Sequence, residues 1–345
     1  MKKLNRVLSL SAAAALALSL TACSGGTSGT ADTPAADNTS ASTGGSGDTY
    51  TVAVIKQMDH ASLDEIADAI AARLDEIAAE NGITIQYEVT SGQGDQTVLR
   101  QLADQAIADG VDAIIPIATT AAQVAAVSAE ESQTPVVFAA ISYPETADLT
   151  GIDYVTGTSD ALDTNLILDM MLAQNPELQS VGLLYSLSEP NSEVPIADAK
   201  AYLDEKGIAY TEATANTNDE VIAAASSLIA DGVDAVFTPT DNIIMAAELA
   251  IYEDFINAGI PHYTGADSFV RNGAFATCGV NYTDLGTKTA DLALEVLQTG
   301  EVPEFVTVAG DIITVNTETA AALGVDYAVF NDMGSSLVEV QTTQE

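Results

Sequence analysis

The chain has 345 residues, enough for two ordinary domains, and its 47% apolar and 17% charged residues allow a large core and exclude wholesale disorder. Against 10 Lys and Arg stand 50 Asp and Glu, a formal net charge of −40, and three of the basic residues (Lys2, Lys3, Arg6) fall at the very start. So acidic a surface repels phosphate backbones and excludes DNA or RNA as a partner.

The basic start is followed by an apolar stretch, Val7 to Leu20, and then by Leu20-Thr21-Ala22-Cys23. About 14 mostly apolar residues after a short basic segment read as a secretory signal peptide over residues 1–22, since a spanning helix needs roughly 20. The Leu-Thr-Ala-Cys ending resembles a bacterial lipobox. That resemblance implies cleavage before Cys23, a lipid on its sulfur, and a mature protein tethered outside the cytoplasmic membrane. Residues 23–49, built mostly from Ser, Gly, Thr, Ala, Asp and Pro, lack large side chains to bury and read as a lipid-anchored flexible linker. Folded protein is expected from about Tyr50.

Beyond the linker, short β-rich runs alternate with amphipathic stretches. Thr51 to Ile55 is a strand, and Leu63 to Ala79 is a helix with Leu63, Ile66, Ala67, Ile70, Leu74 and Ile77 on one face. Ile83 to Val89 predicts a second strand and Thr97 to Ala108 a second helix, with further strands at Ala113–Ile117 and Pro135–Ala139. The pattern then restarts: strand at Val181–Tyr185, helix at Pro195–Glu205, strand at Ile208–Ala213, helix at Glu220–Ile229. Ile107-Ala108-Asp109-Gly110-Val111-Asp112-Ala113 recurs letter for letter as Ile229-Ala230-Asp231-Gly232-Val233-Asp234-Ala235. Each copy closes a helix with Gly and launches a strand. The reading is an α/β protein of two similar, doubly wound parallel-sheet lobes.

In open parallel sheets, ligands bind beyond the carboxyl ends of the strands, so two facing lobes make a cleft that closes about its ligand. The loops that would line it offer His60, Gln93, Asp95, Thr119, Thr120, Ser142 and Tyr143 from the first lobe, and Glu189, Asn191, Ser192, Thr240, Asp241, Asn242 and Asp267 from the second. Thr119 and Thr120 stand at a helix start, where free N–H groups and the helix dipole favour an anion. Asp241 and Asp267 supply carboxylates suited to an ammonium group, so the pair of sites suits an α-amino acid. Thr119, Thr240 and Asp241 read equally as helix N-caps, and Gly94-Asp95 as a turn.

Enzyme and metal signatures are missing: Cys23, Cys278, His60 and His262 are scattered singly, and there is no Walker loop, Gly-x-Gly-x-x-Gly, His-Glu-x-x-His or Gly-x-Ser-x-Gly. No cofactor, metal or catalytic residue is therefore expected. Cys278 reads as a small buried apolar residue.

Six motifs in order carry a family resemblance: His60-Ala61-Ser62-Leu63-Asp64, Gln93-Gly94-Asp95-Gln96, Thr119-Thr120-Ala121-Ala122-Gln123, Thr156-Gly157-Thr158-Ser159-Asp160, Pro239-Thr240-Asp241-Asn242 and Tyr282-Thr283-Asp284-Leu285-Gly286. Over residues 50 to 330 the chain resembles the substrate-binding lipoproteins of ABC transporters whose better-known members take tryptophan, tyrosine or phenylalanine. The resemblance implies a type I periplasmic-binding fold, lobes joined by a three-strand hinge, and delivery of ligand to a membrane permease by a monomeric, membrane-tethered protein. The expected lobes are residues 50–158 with 282–309 and residues 159–281 with 310–345, with hinges near Thr156–Asp160, Gly279–Tyr282 and Ala309–Ile312. Asp284 to Leu297 is read as a helix returning to the first lobe.

Where the family often has Pro after the histidine this chain has Ala61, and the family's acidic residue near Tyr143 is a second departure. An aromatic amino acid leads as ligand, with Tyr143, Tyr185 and Phe269 as candidate stacking partners. The alternatives are an aliphatic amino acid, a short peptide or a sugar as ligand, a sensor in place of a transporter component, and, less favoured, an enzyme using His60 with Asp59 or Asp95. A LacI-type repressor shares the implied fold but needs a basic headpiece that this sequence lacks.

Overall fold

The computed structural model describes residues 48–343. The signal-peptide reading, Cys23 and nearly all of the linker lie outside the described residues. In chain order the first half runs β1 (Thr49–Lys56), α1 (Ala61–Asn81), β2 (Thr84–Ser91), α2 (Gln96–Asp109), β3 (Ala113–Ile117), α3 (Thr119–Ser128), β4 (Val136–Ala139) and β5 (Val155–Ser159). It continues through α4 (Thr164–Gln174), β6 (Ser180–Tyr185), α5 (Glu193–Lys206), β7 (Ala209–Thr214), α6 (Asn218–Asp231), β8 (Ala235–Thr238), α7 (Asn242–Ala258), β9 (His262–Thr264), α8 (Asp267–Arg271) and β10 (Ala276–Gly279). The last part holds α9 (Tyr282–Thr299), β11 (Val306–Thr307), β12 (Ile312–Asn316), α10 (Thr317–Leu323) and β13 (Ser336–Val340).

These strands form two sheets, ordered β11-β5-β4-β3-β1-β2 and β13-β12-β10-β9-β8-β6-β7. Pairing is parallel throughout except between β10 and β12, which run antiparallel. That exception sits in an otherwise parallel sheet. Its cause is topological: β12 enters beside β10 directly from the other sheet, without a crossover helix to reverse it. The helical face read from sequence on α1 is the buried one, with Leu63, Ile66, Ile70, Leu74 and Ile77 at 3% exposure or less.

The repeated heptapeptide is a structural joint. Gly110 and Gly232 take left-handed φ values of 75° and 69° and end α2 and α6. The aspartate two residues on pins the next strand to the first strand of its sheet. Asp112 accepts from the Thr51 amide at 2.7 Å, and Asp234 accepts from the Gln179 and Ser180 amides at 2.9 Å. The repeat therefore supports both sheets alike and contributes nothing to the cleft.

The chain passes between the sheets three times, after β5, after β10 and between β11 and β12. The passages lie against one another: a side chain on Gly310 would meet the Ala161 carbonyl and Val280 at 3.4 Å, and the Cys278 thiol lies 3.6 Å from the Gly310 carbonyl. Cys278 is fully buried and unpaired. After the second passage α9 returns to the first sheet and packs on α1 at Gly286, where an added Cβ would lie 2.7 Å from the Ile66 carbonyl. The final glycine of the Tyr-Thr-Asp-Leu-Gly motif thus permits a close helix–helix approach. Among the described residues no helix is long and apolar enough to cross a membrane.

Candidate functional site

Loops at the carboxyl ends of strands from both sheets converge on one cavity. His60 follows β1, Thr119 follows β3, Ser142 follows β4 and Asp160 follows β5. The second sheet contributes Asn191 after β6, Thr240, Asp241 and Asn242 after β8, and Phe269 after β9. Leu63, Met245 and Phe269 give it an apolar side, and Tyr282 reaches it from the start of α9. The atom-free space is about 350 Å³, of which about 20 Å³ is water-accessible room. As closed here it admits a water and not an amino acid.

Side-chain contacts across the cleft hold it closed. Gln57 donates to Glu189 at 2.7 Å, His60 Nε2 lies 3.0 Å from Asn242 Oδ1, and Ser142 Oγ lies 3.1 Å from Thr240 Oγ1. Ser62 meets Ser268 hydroxyl to hydroxyl, and Arg271 pairs with Glu65.

Asp160 is, with Asp241, one of two buried acids that line the cavity. Its Oδ1 accepts from Ser142 Oγ at 2.9 Å and its Oδ2 from Tyr282 Oη at 3.1 Å. Having given its proton to Asp160, the Ser142 hydroxyl accepts from Thr240. Burial pushes the Asp160 carboxyl above its ordinary range, opposed by the two hydroxyls. Burial likewise holds the Tyr282 hydroxyl protonated. The Asp160–Tyr282 bond also links the first two inter-sheet passages.

The start of α3 is built to leave N–H groups free. Its N-cap, Ala118, has φ 76° and ψ 162° and no side-chain capping bond. A non-glycine residue in that region stores about 1–3 kcal/mol of strain. Ala140, in the neighbouring loop, also has a positive φ of 57°. From within, Gln57 Oε1 takes the Thr120 amide at 3.0 Å.

While Glu189 is ionised, that bond fixes the polarity of a longer chain. With Gln57 Oε1 on an amide, Gln57 Nε2 donates to Glu189 Oε1, and Asn242 Nδ2 donates to Glu189 Oε2 at 2.6 Å. Asn242 Oδ1 is then an acceptor, which assigns the proton of neutral His60 to Nε2. Burial drives the His60 imidazole down to about 4, so it is uncharged at neutral pH. Its Nδ1, and the Oδ1 of Asn191 whose amide donates to the Thr240 carbonyl at 2.6 Å, are buried acceptors without partners.

The cavity thus brings together His60, Thr119, Ser142, Asn191, Thr240, Asp241 and Asn242 of the sequence-predicted set. Thr120 lies behind Thr119, and Glu189 behind Asn242. Gln93 is exposed in a turn, and Asp95 caps α2 by accepting from the Thr97 and Val98 amides. Tyr143 donates to the Leu162 carbonyl at 3.2 Å, and Tyr185 to Glu212 at 2.6 Å, so neither presents its hydroxyl to the cavity.

The two carboxylates expected to meet an ammonium group are otherwise engaged. Asp241 accepts from the Ile243 and Ile244 amides, the Ser186 amide and Ser192 Oγ, all within its own lobe. Asp267 lies outside the lining and pairs with Arg271. Asp160, whose carboxylate accepts from two hydroxyls, also lines the cavity. In the sequence it stood only as the last residue of the Thr156–Asp160 motif and hinge, not among the ligand contacts. Among the described residues no group of three or more His, Cys, Asp or Glu could hold a metal ion.

Comparison with known proteins follows the same lines. The family described as ABC transporter substrate binding protein matches residues 51–329. A tyrosine-binding protein of Clostridioides difficile (strain R20291) is 28% identical over 280 residues, 79% of this chain and 80% of the relative. The crystal structure of an ABC domain in complex with L-Trp from Streptococcus pneumonia is 26% identical and superposes with a TM-score of 0.77, covering 84% of this chain and all of that one. A ligand-free, open substrate-binding protein with adhesive properties from Clostridium difficile is also 26% identical, over 85% of this chain and all of its own, with a lower TM-score of 0.64. The two-lobed α/β architecture is that of the type I periplasmic binding proteins, and the chain belongs to the ABC transporter substrate-binding protein family.

Proposed function

We propose that the protein captures an aromatic amino acid between its lobes and hands it to a membrane permease. The observation that carries this reading is one cavity holding a buried carboxylate, an uncapped helix start and an apolar wall. The ammonium group would pair with Asp160, and the carboxylate would take the free N–H groups at Thr119, where a helix dipole contributes about 0.3–2 kcal/mol. The ring would lie against Phe269, Met245 and Leu63. Tyrosine in one relative and L-Trp in another support an aromatic side chain over an aliphatic one.

Because the cavity as closed has room for a water alone, ligand enters an open form. The lobes, residues 50–158 with 282–309 and residues 159–281 with 310–345, then turn about the three inter-sheet passages. A liganded closure, wider at the cavity than the form described above, is favoured to the extent that ligand binds it better than the open one. The N-terminal sequence supports an extracytoplasmic protein lipidated at Cys23, and the family resemblance a monomer. A melting scan against the twenty amino acids, several sugars and short peptides tests the reading. Ligand at about 100 times its dissociation constant adds roughly 2.7 kcal/mol. A response to tyrosine, tryptophan or phenylalanine is expected, and a response confined to sugars or peptides would refute the ligand assignment.

A further inference from the structure

Glu189 stands as a candidate ligand contact in sequence, yet it does not line the cavity. It is 3% exposed and sits between the lobes. One oxygen takes Gln57 of the first lobe, whose own carbonyl oxygen takes the Thr120 amide at the start of α3. The other takes Asn242 of the second lobe, which meets His60 of the first. A single carboxyl group therefore connects the helix start to the His60 edge of the cavity, and its cross-lobe contact exists only while the cleft is shut.

The titratable surroundings are one-sided. From the N-cap of α7 the Asp241 carboxylate faces it, and from the first lobe His60, neutral, lies beyond Asn242. Asp160 lies across the cavity, while Glu193, on the segment after Glu189, is exposed. We propose that Glu189 takes up one proton from solvent as the lobes close, so that ligand capture is coupled to proton uptake.

Opening breaks the Gln57 contact and lets water reach the carboxylate, which then returns toward its ordinary range. When closed, burial and the neighbouring Asp241 carboxyl, itself pushed upward by burial, push it up to about 8. The sign follows from linkage. The closed form binds the proton more tightly, so closure is favoured below about 8 and loses this advantage as pH rises through that value. Between the ordinary carboxylate range and about 8, ligand affinity should tighten by up to about tenfold per unit fall in pH. The protonated acid keeps both contacts if the Asn242 amide turns, so that Asn242 Oδ1 accepts the new proton and Nδ2 faces a His60 protonated on Nδ1. Glu189 is thus a positioning residue, and its protonation sets the hydrogen-bonding sense of His60.

The proposal rests on lobe closure, not on the ligand's identity, and it is testable without ligand. Ser62 and Ser268 touch across the cleft. Ser62→Cys with Ser268→Cys would lock the protein shut through a disulfide. Carboxyl carbon NMR, with the Glu189 signal assigned by its loss in Glu189→Gln, then follows the titration in locked and reduced protein. Titration near 8 when locked and at lower pH when reduced is expected. An ordinary value in the locked protein, or the same value in both, would overturn the proposal. Calorimetry with L-tyrosine in buffers of different ionisation enthalpy adds the second arm: the wild type takes up protons on binding and Glu189→Gln takes up fewer. Equal uptake by both overturns the coupling. Absence of heat with L-tyrosine counts against the ligand reading and leaves the locked-protein result standing.

Discussion

Replacing Asp160 by Asn separates binding from folding more sharply than any other substitution. The amide keeps the shape, its Oδ1 still accepts from Ser142, and its NH₂ faces the Tyr282 hydroxyl, which can accept. What it loses is the negative charge. Removing one partner of a buried, hydrogen-bonded charge pair costs about 2–5 kcal/mol, or roughly 30- to 4,000-fold in Kd. Ligand-free protein should respond in the opposite sense. Burial raises the folded-state Asp160 carboxyl above its unfolded value, so the wild type has proton-linked stability at low pH that is lost as pH rises through the folded value. Asp160→Asn lacks that loss. At neutral pH its ligand-free melting temperature should equal or exceed that of wild type, while calorimetry with L-tyrosine or L-tryptophan shows the affinity collapse. Binding within threefold of wild type would refute the role given to Asp160. A melting temperature many degrees lower would show that the charge serves the fold instead.

Three other substitutions probe the surroundings. Phe269→Leu keeps an apolar wall next to His262 but removes the ring, and aromatic pairs are worth about 0.5–1.5 kcal/mol beyond burial, so affinity for aromatic amino acids should fall roughly 2- to 12-fold by titration. Glu65→Gln breaks the cross-lobe pair with Arg271, in which both side chains are partly exposed, so about 1 kcal/mol or less is at stake and affinity should drop less than about fivefold. High salt should reproduce part of that loss in wild type. Gly286→Ala should lower the denaturation midpoint, although alanine is the better helix former by about 1 kcal/mol, because the new methyl would press on the Ile66 carbonyl and Ala69 at 2.7 Å. An unchanged or raised midpoint would show that α1 and α9 separate without cost.

Local pattern made much of the fold legible. The apolar spacing on α1 named the residues that are buried, and strand and helix ends fell within a few residues because Gly caps and Asp or Thr N-caps mark them. The reversed β12 was not legible, since strand direction depends on which sheet the preceding segment leaves. At the site, strand-end loops were the right place to look. Sequence could not say which carboxylate stays free: Asp241 and Asp160 both follow strands, and only the fold shows four donors on the first and two hydroxyls on the second. Ala118 and Ala140 carry no polar group to attract notice. Their importance lies in backbone conformation, which side-chain chemistry does not advertise.

The central claim is that an aromatic amino acid is held between the lobes, by Asp160 at its ammonium group and the α3 start at its carboxylate. A crystal structure of the protein grown with L-tyrosine or L-tryptophan tests it most directly. Density for the amino acid is expected in the cavity, with the ammonium nitrogen within about 3 Å of an Asp160 oxygen and the ring against Phe269. A ligand bound elsewhere, or held in the cavity with its ammonium group away from Asp160, would contradict it.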